Sequence, residues 1–228
     1  MPAHSLTRLL WGAYLFLWIG GVASHATSGG TPSNMAWAAP VFLALAAAIA
    51  VVSEWPEWRP MALAFAIGFA AEAAGVHWAY PFGSYRYSGV LAPLIFGVPP
   101  VVAGAWMILF AYVRQMRLGI IASAAAMAAL DLVIDPLAAN VLGFWHWQSA
   151  GPVYGVPLTN FAGWFMVSAG LFAVTRGEAR RNSQMVWLGT SILLFFAAIA
   201  AVHSYFLPAA LGTVLATVGY FRSMPSKV

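Results

Sequence analysis

The sequence predicts an all-α protein, a polytopic bundle of about eight transmembrane helices. The prediction rests on three observations: 62% of the 228 residues are hydrophobic, only 7% are charged, and apolar residues form a succession of long runs. A soluble domain contains about 25% charged residues, and a membrane-spanning helix needs about 20 mostly apolar residues. We therefore expect a single transmembrane domain over residues 1–228, with seven or eight spans and no separate soluble domain.

The apolar runs between Gly, Pro and charged residues locate the predicted spans. They lie at 6–22, 36–53, 61–79, 93–113, 118–138, 158–175, 184–202 and 205–221. The last run is the weakest, so seven spans are the alternative. The first run is followed by Ala23-Ser24-His25-Ala26, and a cleaved signal peptide is a second interpretation of it.

The basic residues predict the orientation of the bundle. With eight spans and both termini in the cytoplasm, nine of the ten Lys and Arg residues lie on the cytoplasmic side, the last of them being Lys227. Only Arg86 lies on the outer side. Cytoplasmic loops of membrane proteins carry such an excess of positive charge. The sequence thus predicts a multi-pass protein of the cytoplasmic membrane. The net charge of +4 is spread over many loops, which argues against a nucleic-acid partner.

Two outer segments, roughly 80–92 and 139–157, have related sequences. The matches are Gly83-x-Tyr85-x-Tyr87 with Gly143-x-Trp145-x-Trp147, and Gly97-Val98-Pro99 through Trp106 with Gly155-Val156-Pro157 through Trp164. A membrane acid, Glu72 or Asp131, precedes each segment at nearly the same offset. The pattern predicts a parallel internal repeat of spans 3–4 and 5–6, related by an axis along the membrane normal. A chance similarity between interfacial loops is the alternative.

Three of the six acidic residues, Glu72, Asp131 and Asp135, lie inside predicted spans. An Asp at the centre of a spanning helix costs about 2.5–3.5 kcal/mol on insertion scales, so such residues usually face a cavity and have a function. Burial disfavours the charged form of a carboxyl group, which predicts a neutral acid able to donate a proton. Hydrogen-bonded clamps between helices are the alternative. Before Pro136 we expect the helix to bend or end.

Aromatic and polar residues of the outer segments are the candidate substrate contacts. Extended backbone would place both rings of Tyr85 and Tyr87, and both rings of Trp145 and Trp147, on one side. Facing inward, these rings could stabilise a cation; an interfacial aromatic belt is the alternative. The remaining candidates are His77, His146, Tyr154, Asn160 and Trp164. A metal site built from Glu72, His77, Asp131 and Asp135 lacks a supporting motif, so we predict no metal.

Taken in order, several of these motifs are similar to one known family. They are Glu72, Pro81-Phe82-Gly83-x-Tyr85-x-Tyr87, Gly97-Val98-Pro99, Asp131-x-x-x-Asp135-Pro136, Gly143-x-Trp145-x-Trp147 and Tyr154-Gly155-Val156-Pro157-Leu158-x-Asn160-Phe161-x-Gly163-Trp164. This stretch, about two-fifths of the chain, resembles the integral-membrane carotenoid 1,2-hydratases, which include the bisanhydrobacterioruberin and γ-carotene hydratases. The resemblance implies a cofactor-free hydro-lyase acting on a C30 to C50 carotenoid within the bilayer.

The chemistry of hydration fits the predicted residues. An unactivated terminal alkene needs an acid to protonate C2, a wall that tolerates the tertiary cation at C1, and a held water. We predict that Asp131 donates the proton and that Glu72 or Asp135 orients the water, in a cavity in the outer half of the membrane. Two alternatives stay open: a carotenoid end-group cyclase, and a proton-coupled transporter or lipid-binding membrane protein.

Overall fold

The structure is a computed structural model that describes residues 3–177 and 179–223; Lys227 lies outside these residues. Within the described residues the chain folds into eight α-helices and a two-stranded ribbon. The elements are α1 (Ala3–Ser28), α2 (Ala38–Ser53), α3 (Trp58–Trp78), β1 (Tyr85–Tyr87), α4 (Pro100–Gln115), α5 (Ile120–Asn140), β2 (Trp145–Trp147), α6 (Leu158–Val174), α7 (Ser183–Val202) and α8 (Phe206–Ser223). Their order follows the predicted order of spans and outer segments.

Among the described residues, five helical segments are long and apolar enough to cross a membrane. They are Ser5–Ser28, Ser33–Ser53, Trp55–Trp78, Ile120–Asn140 and Ser183–Val202. The helices α4 and α6 are shorter, with 16 and 17 residues. Large apolar side chains such as Phe16 and Ile19 of α1 are 71% and 62% exposed, as expected where a helix faces lipid. The chain is therefore a polytopic helical membrane protein, as the composition predicted.

The structure differs from two predictions about helix ends. The span predicted over 93–113 begins only at Pro100, because Phe96 and Gly97 adopt positive φ angles of 49° and 78° and turn the chain. Of the bend or end predicted before Pro136, the end does not occur, since α5 continues to Asn140. A proline removes one backbone hydrogen bond, but Pro136 and the three residues after it are buried in the bundle, and that packing holds the last turn in place.

The helices α4, α5 and α7 form the centre of the bundle, and small residues allow them to approach closely. Tyr112 of α4 is fully buried between α7 and α8. A Cβ atom at Gly189 would lie 2.2 Å from the Tyr112 ring, and one at Gly219 would lie 2.1 Å from its hydroxyl. Only glycine leaves room for this ring, which is typical of helix packing in membranes.

The two segments that resemble each other in sequence, roughly 80–92 and 139–157, pair with each other. The strands β1 and β2 are antiparallel, with Tyr85 opposite Trp147, Arg86 opposite His146 and Tyr87 opposite Trp145. Backbone bonds from Ser88 to Phe144 and from Gln148 to Ser84 extend the ribbon at both ends. The ribbon follows the last turns of α3 and α5 and packs over that end of the bundle, where Tyr85 and Phe82 are buried.

Candidate active site

A cavity of about 80 Å³ lies within the bundle beneath the ribbon. All three predicted membrane acids, Glu72 on α3 and Asp131 and Asp135 on α5, line it and are buried. Most of the remaining wall is aromatic or aliphatic. The cavity therefore combines carboxyl groups with a largely apolar surface.

Glu72 is held by three side-chain donors. The hydroxyls of Tyr85 and Tyr87 donate to Oε2 at 2.5 and 2.6 Å, and the indole of Trp106 donates to Oε1 at 2.9 Å. Burial, and then the adjacent Glu72, raise the pKa of Tyr85 and Tyr87 far above the ordinary value of 10.0. Both tyrosines thus remain protonated donors, and Glu72 is fixed as an acceptor.

The sequence around Glu72 explains how these donors reach it. Gly68 and Gly75 lie one helical turn on either side of Glu72, on the same face of α3. A Cβ atom at Gly68 would lie 2.6 Å from Trp106, and one at Gly75 would lie 2.7 Å from the Tyr85 hydroxyl. The glycines therefore open the surface of α3 to Trp106 and Tyr85.

The two aspartates of α5 share one amide. The side-chain nitrogen of Asn160, in the first turn of α6, donates to Asp131 Oδ2 at 2.5 Å and to Asp135 Oδ2 at 2.7 Å. The other oxygen of Asp135 accepts bonds from the indoles of Trp145 and Trp147 at 2.9 and 3.0 Å. Asp135 thus accepts three hydrogen bonds from described side chains, and Asp131 accepts one.

The contacts of the two related segments correspond. The aromatic pair of β1 donates to Glu72, and the aromatic pair of β2 donates to Asp135. The sequence comparison paired Glu72 with Asp131, whereas Asp135 makes the equivalent contact. Trp106 and Trp164, which the comparison also paired, stack with ring centroids 3.7 Å apart and planes 8° from parallel.

Nine of the twelve predicted site residues line this cavity. They are Glu72, Asp131, Asp135, Tyr85, Tyr87, Trp145, Trp147, Asn160 and Trp164. The alternation predicted for the two aromatic triplets accounts for four of them, because both rings of each triplet face inward and reach the acids. The structure brings these residues together from α3, β1, α5, β2 and α6.

The other three predicted residues lie outside the cavity. His77 is exposed, with its ring nitrogen 3.2 Å from the carbonyl of Phe96. Five residues along a helix turn about 140° away from Glu72, so His77 leaves the cavity face. His146 alternates with the two inward tryptophans and is exposed on the outer face of the ribbon. Tyr154 is 38% exposed and packs against Tyr205.

Sequence reasoning did not include Trp106 among the site residues. Its position in the first segment matches that of Trp164, a predicted site residue, in the second. This match could have identified Trp106 as a site residue. The apolar lining contributed by α2 and α7, including Leu43 and Phe196, left no signal beyond hydrophobicity. The described residues contain no group of three His, Asp or Glu side chains placed to hold a metal ion.

Comparisons with known proteins show which proteins this sequence is similar to. The sequence model of a family described as carotenoid biosynthesis protein matches residues 34–219, more than half of the chain. The bisanhydrobacterioruberin hydratase of Haloarcula japonica is 29% identical in an alignment of 111 residues that covers 43% of this chain and 37% of that protein. The similarity thus spans less than half the length of that relative. No solved structure matches the chain.

Proposed function

The chain belongs to the carotenoid biosynthesis protein family, and on that premise we propose that it is a carotenoid hydratase. It adds water to the terminal C1=C2 double bond of an acyclic carotenoid end group, without a cofactor. The observation that carries the proposal is the unequal hydrogen bonding of three buried carboxyl groups around one apolar cavity. The distant similarity to a bisanhydrobacterioruberin hydratase supports the same reaction.

Asp131 is the proton donor in this mechanism. Hydrogen bonds from N–H and O–H groups stabilise a carboxylate, and Glu72 and Asp135 each accept three from described side chains. Asp131 accepts one, from Asn160, so it is the carboxyl group that is least costly to hold in its neutral form. Protonation of C2 by Asp131 leaves a tertiary cation at C1 and the Asp131 carboxylate.

The aromatic wall and the other carboxylates complete the reaction. The rings of Tyr85, Trp145 and Trp147 line the cavity and can stabilise the cation through their π faces. A water molecule held by Asp135 or Glu72 attacks C1 with an oxygen lone pair, and its extra proton passes to that carboxylate. The proton returns to Asp131 through water, which restores the starting state. The product gains one hydrogen at C2 and one hydroxyl at C1.

The site favours hydration over cyclisation. A cyclase protonates the same end group but must keep water away from the cation. Here three carboxyl groups and the Asn160 amide line the cavity, and buried water occupies sites with two to four polar partners. A transporter would need a water path on both sides. Buried Phe110 and Met127 fill the bundle towards the other end of α4 and α5, which supports a site open on one side.

The membrane arrangement is part of the proposal. We infer eight spans with both termini in the cytoplasm, an active site in the outer half of the cytoplasmic membrane, and a parallel repeat of α3–α4 with α5–α6. The pairing of β1 with β2 around Arg86 and His146 supports the repeat, as does the stacking of Trp106 on Trp164. The polyene substrate reaches the site from the bilayer.

Expression in a lycopene-producing host tests the proposed function. One culture makes the parent protein and another makes Asp131→Asn. The pigments of each are separated, and their molecular masses are measured by mass spectrometry. We expect a product one water heavier with the parent and none with the variant. An isomer of unchanged mass would indicate cyclisation instead. No change with several acyclic carotenoids would overturn the enzyme proposal.

A further inference from the structure

The cavity lined by Glu72, Asp131 and Asp135 is called the acid cavity below. A second cavity, of about 120 Å³, adjoins it. It lies between α1, α2 and α7, and its wall is mostly apolar. Leu43, Phe144 and Phe196 line both cavities, so these three side chains form the partition between them. Hydration of an end group does not by itself require this second space.

The size of the acid cavity limits what it can hold. With a volume of about 80 Å³, the cavity is large enough to hold water but is small for a long hydrocarbon. A carotenoid is about as long as the roughly 30 Å hydrocarbon core of a bilayer. Most of a substrate whose end group reaches Asp131 must therefore lie outside the acid cavity.

We propose that the second cavity binds the polyene chain of the substrate next to its reacting end group, and that the chain passes between Leu43, Phe144 and Phe196. The inference rests on the proposed hydratase function. A binding site for the polyene deepens that function, because it determines which end groups can reach the acids.

The chemistry of the second cavity suits a hydrocarbon. Of its polar side chains, Ser24 already donates to the carbonyl of Gly30 at 2.6 Å, and His25 is paired with His203 at 2.9 Å. The Ser24 hydroxyl and the Nδ1 atom of His25 are therefore already engaged within the protein. The apolar lining continues to Phe16 and Met35, which are 71% and 37% exposed. A chain arriving from the lipid beside α1 and α2 would meet a mostly apolar surface.

Two glycines of α1 provide a matched test. Gly20 lines the second cavity, and a Cβ atom there would meet nothing within 4 Å. Gly12 lies on the same helix, is equally open, and lines a surface groove away from both cavities. Gly20→Phe therefore fills the proposed polyene site, while Gly12→Phe makes the same substitution elsewhere on α1.

The experiment measures bound polyene in full-length Asp131→Asn protein, purified from membranes of a lycopene-producing host. Absorbance gives the pigment per protein. We expect Gly20→Phe in this background to retain less than a tenth of the pigment, and Gly12→Phe to retain all of it. Should Gly20→Phe fail to fold, Ala39→Leu fills the same cavity from α2.

Two results would overturn the inference: equal pigment in the Gly20 and Gly12 variants, or no pigment in Asp131→Asn itself. Failure of the hydratase proposal looks different. A parent protein that binds the polyene through the second cavity but forms no hydrated product would contradict hydration and leave the polyene site in place.

Discussion

The side-chain nitrogen of Asn160 lies 2.7 Å from an Asp135 oxygen, and the same nitrogen also bonds Asp131. One amide of α6 thus holds both carboxyl groups of α5. This contact fixes the separation of the proposed proton donor, Asp131, and one of the two proposed proton acceptors, Asp135, and it ties the two helices together.

Asn160→Leu removes this amide at nearly constant volume. A buried group that loses its hydrogen-bond partner costs about 1–3 kcal/mol, so we expect a lower melting temperature and at least a tenfold loss of hydrated product. Asn140→Leu is the matched control, because Asn140 donates to the Tyr154 carbonyl on the exposed surface. Parental product yield with Asn160→Leu would contradict the role of the amide.

Tyr85→Phe removes one donor from Glu72 and keeps the ring. Hydrogen bonds to charged groups contribute about 1.5–3 kcal/mol, so we expect the variant to unfold at lower temperature. The same substitution should lower the stability less in a protein that already carries Glu72→Gln. A double-mutant cycle in detergent measures this difference. Tyr80→Phe, at a 66% exposed position, is the control. Simple additivity of the two changes would show that the bond contributes nothing.

Gly189→Ala tests the packing of α4 against α7. The added Cβ atom would lie 2.2 Å from the Tyr112 ring, and overpacking of a buried site costs about 1–3 kcal/mol. We expect a clear fall in melting temperature. Gly170→Ala on α6 adds the same methyl group where nothing lies within 4 Å, and it should leave the melting temperature unchanged or slightly raised. Equal behaviour of the two variants would argue against the close approach.

Glu54, between α2 and α3, predicts a dependence of stability on pH. Burial, and then the charge of Glu57, raise the pKa of Glu54 from 4.5 to about 7. The folded protein therefore binds this proton more tightly than the unfolded chain does, and its stability falls as pH rises from 4.5 through 7. We expect melting temperature to fall over this range in the parent and to fall less in Glu54→Gln. Parallel curves would refute the assignment.

Local sequence patterns predicted the features that depend on a short stretch of chain, such as the positions of the helices and the alternation of side chains in the strands. Apolar runs located the helices, because length and hydrophobicity alone decide which segments suit a bilayer. Alternation in the triplets around Arg86 and His146 predicted that the two rings of each triplet share one side, because an extended strand alternates its side chains. The acids stood out because charged residues are costly within spans.

The remaining features depend on tertiary contacts. Trp106 reaches Glu72 across 34 positions only because Gly68 leaves room for it. Asp135, and not Asp131, receives the indoles of β2, since the depth at which the ribbon docks decides which turn of α5 it meets. The second cavity arises where α1, α2 and α7 fail to fill space, and no motif marks it.

Isotope labelling tests the central claim most directly. The purified protein in detergent, supplied with an acyclic carotenoid, is incubated in D₂O and, separately, in H₂¹⁸O, and the product is analysed by mass spectrometry and NMR. The account predicts one solvent deuterium at C2 and solvent ¹⁸O in the hydroxyl at C1, both absent with Asp131→Asn. A product that carries solvent deuterium but no solvent oxygen, or equal labelling with Asp131→Asn, would contradict it.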